Sequence, residues 1–370
     1  FGRRFLWAAF IACFAVHNMA AAVRAEDEAE TKLQTSKGCF GRDTENDEIA
    51  SSEEHLRSVK LSGEAYSSFD SKWTEHQIPE DPGFSEPFWA KVHLQPGDPF
   101  ELNTFDPVNQ DVYISGAAHK GEVWDHFVWA AMKPILTRAG RGKCRFVDVG
   151  GNLGYFTFAA ASLGCQVVAF EPMSRNLRKI IDSVRRNRLE DRIRLYHNAV
   201  SFASGDAVRL KATAPNNIGN GQIGIGGDPD VNGPYGLTHV RTVTLDGIIV
   251  GDVDLIKIDV EGFEGNVLVG ARRLVCCKVV SHIMIEYWRE HRKDDTCAAG
   301  EMLRWFAAAG YSVSDINPPP YGPDAARDLG GDMDVDKYPV NLLFALQRPE
   351  DGPPASRTPP PPACRRVVCA

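Results

Sequence analysis

The chain has 370 residues, 43% hydrophobic and 24% charged, with a formal net charge of −8 and a sequence pI of about 5.7. That is material for one large or two small packed domains, and the acidic balance gives no reason to expect a nucleic acid or other polyanion as partner. Nine cysteines at irregular spacing, with no C-x-x-C pair and no His-x-x-x-His, describe neither a zinc site nor a disulfide scaffold.

The chain opens on Phe1 rather than methionine, so an upstream start is expected. Arg3 and Arg4 precede an apolar run of 12 residues from Phe5 to Val16; after His17 and Asn18 it resumes to Val23, and Val23-Arg24-Ala25 closes it. The short run suits a signal peptide over residues 1–25, cleaved after Ala25. Read through Val23 it spans 19 residues, enough for a single-pass membrane anchor. Either reading puts the protein in the secretory pathway, and an organelle transit sequence is the alternative. Residues 26–83 are expected to be an acidic, polar, disordered linker.

From residue 84 short aromatic and β-branched runs begin. PFWAKVHL, PFELNTF and DVYIS read as strands, and Glu122 to Thr137 has helical spacing. Strand-like and helix-like segments then alternate, from CRFVDVG and YFTFAAASL through QVVAFEP, RNLRKIIDSVRRN, RIRLYHNAV and AVRLKAT to HVRTVTLDGII, DLIKIDVEG and SHIMIEYW. The helix EMLRWFAAAG and the strand VNLLFALQ close the series. Apolar runs separated by helices predict a mostly parallel sheet covered on both faces, one α/β domain over residues 84–348. Asn216 to Gly236, rich in Gly and Asn, reads as a lid loop over a bound acceptor or, equally, as a plain surface loop. The basic run from Arg185 to Arg194 contains Glu190 and Asp191 and reads as a solvated helix face. Residues 349–370 form a Pro-rich tail expected to be disordered. Adjacent Cys276 and Cys277 read as small apolar filler in a strand or loop connection, while a bridge involving Cys39, Cys364 or Cys369 stays open.

The glycine loop after CRFVDVG carries the first functional signal. A nicotinamide fingerprint needs glycines at offsets 0, 2 and 5, whereas Gly150, Gly151 and Gly154 stand at offsets 0, 1 and 4. No lysine follows, so the phosphate-cradling loop is absent too. Asp148 precedes the glycines and would repel a pyrophosphate but suit a cationic ligand. Glu171 ends the next strand, 23 residues after Asp148, where an acidic side chain accepts hydrogen bonds from a ribose diol. A ribonucleoside bearing a positive group, such as S-adenosylmethionine, satisfies both. The segment DLIKIDVEGFEG brings Lys257, Asp259, Glu261 and Glu264 to a strand end. In a doubly wound sheet that end adjoins Asp148 at the point where strand order reverses. Glu261 and Glu264 also suit the first turn of the following helix.

Together VDVGGNLGYF, VVAFEP, HNAV, Thr244-Leu245-Asp246, DLIKIDVEGFEGNVLVGA, the preceding Gly121-Glu122-Val123-Trp124-Asp125 and the later IMIEYW resemble the FkbM family of S-adenosylmethionine-dependent methyltransferases, in order, from about Phe100 to Leu346. Gly151 stands where the family often has alanine, and Asp125 where it often has glutamate. The resemblance implies a doubly wound, Rossmann-like sheet of the class I methyltransferase type, with short amino-terminal strands and a helix added. It assigns Asp148, Gly150, Asn152 and Gly154 to the methionine part of the cofactor, Glu171 to the ribose, Asn198 and Ala199 to the adenine, and Trp124 and Asp125 to a closing element. Trp124 fits equally as a core aromatic of an amphipathic helix.

Methyl transfer to an alcohol also needs a base within hydrogen-bond reach. Asp259 is the first candidate, with Glu261, Glu264 and Glu286 in support. His282 is a weaker one, since a lone strand histidine is more often a core residue. A divalent metal on Asp259, Glu261 and Glu286 is left open but not favoured. The expected activity is O-methylation of a hydroxyl on a glycan or secreted small metabolite. A nicotinamide oxidoreductase and a non-catalytic nucleoside-binding protein on the same fold are the alternatives. Oligomeric state is not legible.

Overall fold

The computed structural model describes residues 86–214, 216–223, 237–287, 299–316, 327–328 and 340–347, with residues 352, 353, 362–365 and 369 of the tail. The segment expected to be a signal peptide or anchor and the whole of the acidic linker lie outside the described residues. Among those described, no helix is long and apolar enough to cross a membrane.

An antiparallel hairpin comes first, Phe88–Val92 (β1) and Phe100–Thr104 (β2). DVYIS, expected as a third strand, instead enters a helix, Ile114–Lys120 (α1). The Asp111 carboxylate accepts from the Tyr113 amide at 3.0 Å, the Ser115 amide at 2.9 Å and the Ser115 hydroxyl at 2.6 Å. That local competition turns the chain before a ladder can form. The next helix, His126–Arg138 (α2), begins four residues later than its apolar spacing predicts. Asp125 caps it from a left-handed backbone conformation (φ 40°), accepting from the Val128 amide at 3.3 Å. Trp124 therefore stands in the loop ahead of the helix.

The alternating part follows the expectation closely. Arg145–Val149 (β3), Tyr155–Ser162 (α3), Gln166–Phe170 (β4), Ser174–Asn187 (α4) and Ile193–Tyr196 (β5) build one half of the main sheet. A smaller sheet is inserted next: Ala199–Val200 (β6), Ala207–Ala214 (β7), Asn217–Ile223 (β8) and Leu237–Val243 (β9), in the order β6-β9-β7-β8. A third of the expected lid loop, Asn217–Ile223, is thus strand β8, paired antiparallel with β7; residues 224–236 lie outside the described residues. Leu245–Ile248 (α5), Val253–Ile258 (β10), Glu264–Val269 (α6), Arg272–Cys277 (α7), Val280–Tyr287 (β11), Ala299–Ala309 (α8), Tyr311–Asp315 (β12), Arg327–Asp328 (β13) and Val340–Leu346 (β14) complete the chain.

The main sheet runs β13-β12-β14-β11-β10-β3-β4-β5. Its centre, from β11 to β5, is parallel, and β14 runs antiparallel to both of its neighbours. Because parallel strands are joined by helical crossovers, both faces are covered and both faces of each strand are apolar. One core packs Phe146, Val167, Ala169, Leu255 and Met284 against α2, α3 and α4. The other packs Val147, Val149, Ile256, Ile258, Ile283 and Ile285 against α6, α7 and α8. This is the doubly wound α/β architecture that the alternation predicts.

Cysteine usage differs from the expectation. Cys144 joins Cys165, tying the starts of β3 and β4; Cys276 joins Cys364, and Cys277 joins Cys369. Cys276 and Cys277 end helix α7 and are bridge partners, not filler. Cys364, in the tail expected to be disordered, is 1% exposed within the core. Spacing alone concealed these pairs because each joins distant parts of the chain. All six cysteines among the described residues are bridged, so thiol titration of the unreduced, denatured protein should find no more than three of the nine. Cys144→Ser with Cys165→Ser opens a 21-residue separation and should lower stability by about 3 kcal/mol in denaturant unfolding.

Candidate functional site

Parallel pairing sets Asp148 of β3 level with Lys257 of β10. Chain order reverses between these two strands, so a crevice opens beyond their carboxyl ends. A cleft of about 660 Å³, counting its open mouth, lies there. Gly150, Asn152, Glu171, Asn198, Ala199, Asp259 and Glu261 all line it, so residues scattered over more than a hundred positions share one wall.

The glycine loop is held by its main chain. The amides of Gly150 and Gly151 both donate to the Phe170 carbonyl at 3.0 Å, which folds the loop over the end of β4. Gly150 has φ +84°, and a Cβ there would lie 1.9 Å from the Asp259 carbonyl oxygen. No side chain fits without moving the end of β10. Gly154, at φ +81°, starts helix α3, and a Cβ on it would press to 2.9 Å from the Phe158 ring.

Two buried carboxylates stand behind this loop. Asp148 is 1% exposed; its Oδ2 accepts from the Thr157 hydroxyl at 2.6 Å, and its Oδ1 is buried with no hydrogen-bond partner in the protein. Burial pushes the Asp148 carboxyl above its ordinary range, with Lys257 pulling the other way. Glu171, 3% exposed, is better provided for. Its Oε2 accepts from the Asn152 amide at 2.7 Å, and its Oε1 from the Met173 amide at 2.8 Å and from Asn176 Nδ2 at 3.2 Å. Burial still outweighs these donors and pushes the group up to about 8. Three donors occupy three of about four lone-pair sites on a carboxylate, leaving Oε2 able to take a ligand hydroxyl. At the far end of the cleft Asn198, fully buried, donates from Nδ2 to the Arg241 carbonyl at 3.0 Å, beside Ala199.

On the β10 side Lys257 and Asp259 point to the same face, two residues apart on a strand. Lys257 Nζ donates to Asp259 Oδ2 at 2.9 Å; the lysine side chain is 6% exposed and the aspartate 29%. Burial alone would strip the ammonium of its proton, but Asp259, Asp148 and Glu286 together outweigh it and hold the lysine pKa above its usual value. The Phe156 ring covers Nζ at 5.4 Å. The lysine engages one oxygen of a partly exposed carboxylate and leaves the other, Oδ1, outside the ion pair.

The remaining predicted residues take different places. Glu261 lines the cleft with a left-handed backbone (φ 57°). Glu264 does not line it: 1% exposed, it accepts from the Val260 amide at 3.3 Å and the Gly262 amide at 3.0 Å, and burial pushes it up to about 7. That is the turn-capping role its position in the first turn of α6 suggests. Glu286 lies on β11 and reaches the site through its field on Lys257. Asp125 also lies outside the cleft wall, yet feels both Lys257 and Asp259, with burial the main influence raising its pKa. Trp124 is half-buried; its amide donates to the Tyr155 hydroxyl at 3.2 Å and its ring meets Tyr113 edge-on at 6.2 Å. His282 stands level with Leu255, well back from the strand ends, beside the Ser281 hydroxyl at 2.9 Å. Among the described residues no three His, Cys, Asp or Glu side chains are arranged to hold a metal ion.

Sequence reasoning missed the opposite wall. Met173, Gly219, Asn220 and Gly221 line the cleft, the last three from strand β8. The only local signal was the Gly-Asn-Gly run, and the lid-loop reading absorbed it.

Residues 148–313 match the family profile of the methyltransferase FkbM domain. No curated protein matches the chain. Among solved structures, a methyltransferase FkbM from Methylobacillus flagellatus KT is 19% identical, with 54% of this chain and 43% of that one covered and a TM-score of 0.34. This chain thus spans less than half of that protein's length. An S-adenosylmethionine-dependent O-methyltransferase from Thermotoga maritima is 11% identical, with 61% and 67% covered and a TM-score of 0.30. The TYW2 protein of Pyrococcus horikoshii, solved with MeSAdo, is 12% identical over 71% and 73%, with a TM-score of 0.30.

The buried carboxylates carry a pH signature. Glu171 moves from an ordinary 4.5 to about 8 on folding. Between those values the folded protein holds a proton that the unfolded chain has released, so stability falls as pH rises through the window. Glu264, raised to about 7, acts in the same direction. The thermal midpoint should therefore be higher at pH 6 than at pH 8.5, and Glu171→Gln should shrink that difference.

Proposed function

We propose that this chain, which carries an FkbM methyltransferase domain over residues 148–313, binds S-adenosylmethionine in the cleft and transfers its methyl group to a hydroxyl oxygen. The observation that carries this reading is Glu171: a buried carboxylate at the end of the second strand, lining the cleft, held by three donors and keeping one acceptor site for a ribose hydroxyl. The family implies the cofactor, and the residues present fit it. Asp148 Oδ1, buried and without a protein partner, suits a positively charged group. Gly150, Asn152 and Gly154 form the loop beside it, Asn198 and Ala199 the adenine end, and Trp124 and Asp125 a closing corner above the Lys257–Asp259 pair.

The cofactor, when bound, supplies an activated methyl group. The protein's own work is orientation, exclusion of water and movement of one proton. Asp259 is the base: Lys257 holds Oδ2 and Oδ1 is left to accept the acceptor's hydroxyl proton as the new oxygen–carbon bond forms. Glu261 shares the cleft wall and orients the acceptor, while Glu286 keeps the lysine charged. Glu264 acts through the turn that carries Asp259 and Glu261. No step needs a metal ion.

The acceptor we infer is a hydroxyl on a glycan or secreted small metabolite, and the compartment an oxidising one on the secretory route. Three bridges, tying two strand starts and the tail, are what such compartments favour. The apolar run near the amino terminus supports the same route.

A binding titration with S-adenosylmethionine, S-adenosylhomocysteine and NAD tests the cofactor. Both sulfur nucleosides should raise the thermal midpoint, since a ligand of the folded state stabilises it; NAD should not, and Glu171→Ala should abolish the effect. Binding of NAD alone would overturn the reading. Transfer of a labelled methyl group to hydroxylated acceptors, lost by about 10²-fold or more in Asp259→Asn with binding retained, tests the base.

A further inference from the structure

Strand β8 approaches the glycine loop and the end of β4 with almost no side chain between them. A Cβ on Gly219 would lie 2.8 Å from Asn152 Oδ1, and one on Gly221 would lie 2.6 Å from Met173 Sδ. Two glycines thus let the main chain of β8 form the wall facing Glu171. One side chain joins these two walls. Asn176, fully buried in the first turn of α4, donates from Nδ2 to the Gly219 carbonyl at 2.7 Å and to Glu171 Oε1 at 3.2 Å. The Gly219 carbonyl can only accept, so the amide has one orientation: rotating it would set the Asn176 oxygen against that carbonyl oxygen.

We propose that Asn176 is a positioning residue, which fixes Glu171 and the β8 wall relative to each other so that the cleft is shaped for a ribose. The inference rests on the S-adenosylmethionine reading of the cleft and adds a residue and a strand to it. Asn176 touches no ligand in this scheme; it acts by holding the carboxylate and the facing backbone at a set separation. An alanine there takes one of Glu171's three donors and unties Gly219. The carboxyl then favours its protonated form more strongly, since burial already disfavours the charge. A protonated, loosely held Glu171 no longer distinguishes a ribose from a sugar that lacks a hydroxyl.

The test compares S-adenosylhomocysteine with its 2′-deoxyribose counterpart by calorimetric titration of the full chain. At pH 9, where the Glu171 carboxyl of the parent protein is charged, a hydrogen bond to it should make that protein prefer the ribose form by about 30-fold. Asn176→Ala should weaken both ligands and bring the preference down to about threefold or less. A general packing defect would weaken both equally and leave the preference at the parent value, and that result overturns the proposal. If Asn176→Ala does not fold, Asn176→Ser carries the same test, because one hydroxyl donor cannot serve both oxygens and the preference should again fall. If the parent binds neither nucleoside, the cofactor reading itself fails. If the parent shows the preference and a folded Asn176 variant keeps it, only the role of Asn176 fails.

Discussion

The close approach of Gly150 to the carbonyl of Asp259 is the constraint on which the rest of the site depends. With the Val149 carbonyl accepting from the Asp259 amide at 3.0 Å, the pairing of β3 and β10 continues one step beyond the strands and ends in a contact that only glycine permits. That contact brings the residues around Asp148 against those around Asp259 where strand order reverses. The loop is pinned from its other side as well, by two amides on the Phe170 carbonyl. Three strand ends therefore meet through main-chain atoms, and the side chains that remain are left to address a ligand.

Behind that junction sits a buried charge cluster built around a cation. Lys257 pairs directly with Asp259 and lies in the fields of Asp148 and Glu286, on three adjacent strands. A buried ion pair is seldom retained for stability, because desolvation offsets most of its Coulomb attraction. Its use here is geometric: the lysine occupies one oxygen of Asp259, so the carboxylate cannot turn freely. Asp148 and Glu171, farther from the cation, are held by hydrogen bonds and shifted mainly by burial.

Much of this was legible in the sequence. The alternation of short apolar runs with helices gave the doubly wound sheet, and the spacing from Asp148 to Glu171 matched two adjacent strand ends. The K-x-D-x-E-G-x-E string carried the third strand end and its following turn. What stayed hidden depended on distant pairing. The β8 wall reads locally as a loop, because Gly and Asn are poor strand formers and only pairing with β7 makes it a strand. DVYIS has strand composition, but the Asp111 side chain captures two amides and turns the chain into a helix. Asn176 carries no motif at all, and its importance appears only once Glu171 and Gly219 lie on either side of it. Glu264 was legible in both of its roles, and folding chose the turn.

The adjacent cysteines that end helix α7 have a consequence for how the carboxyl-terminal third is joined together. Their bridges close rings of 88 and 92 residues in sequence separation, and both rings contain β11, α8, β12 and β14. A single cut of the backbone anywhere between Cys277 and Cys364 would yield two pieces still linked by two covalent bonds. The edge strands of the sheet would then stay beside their neighbours after such a nick, and the protein would run as one species until a reductant is added.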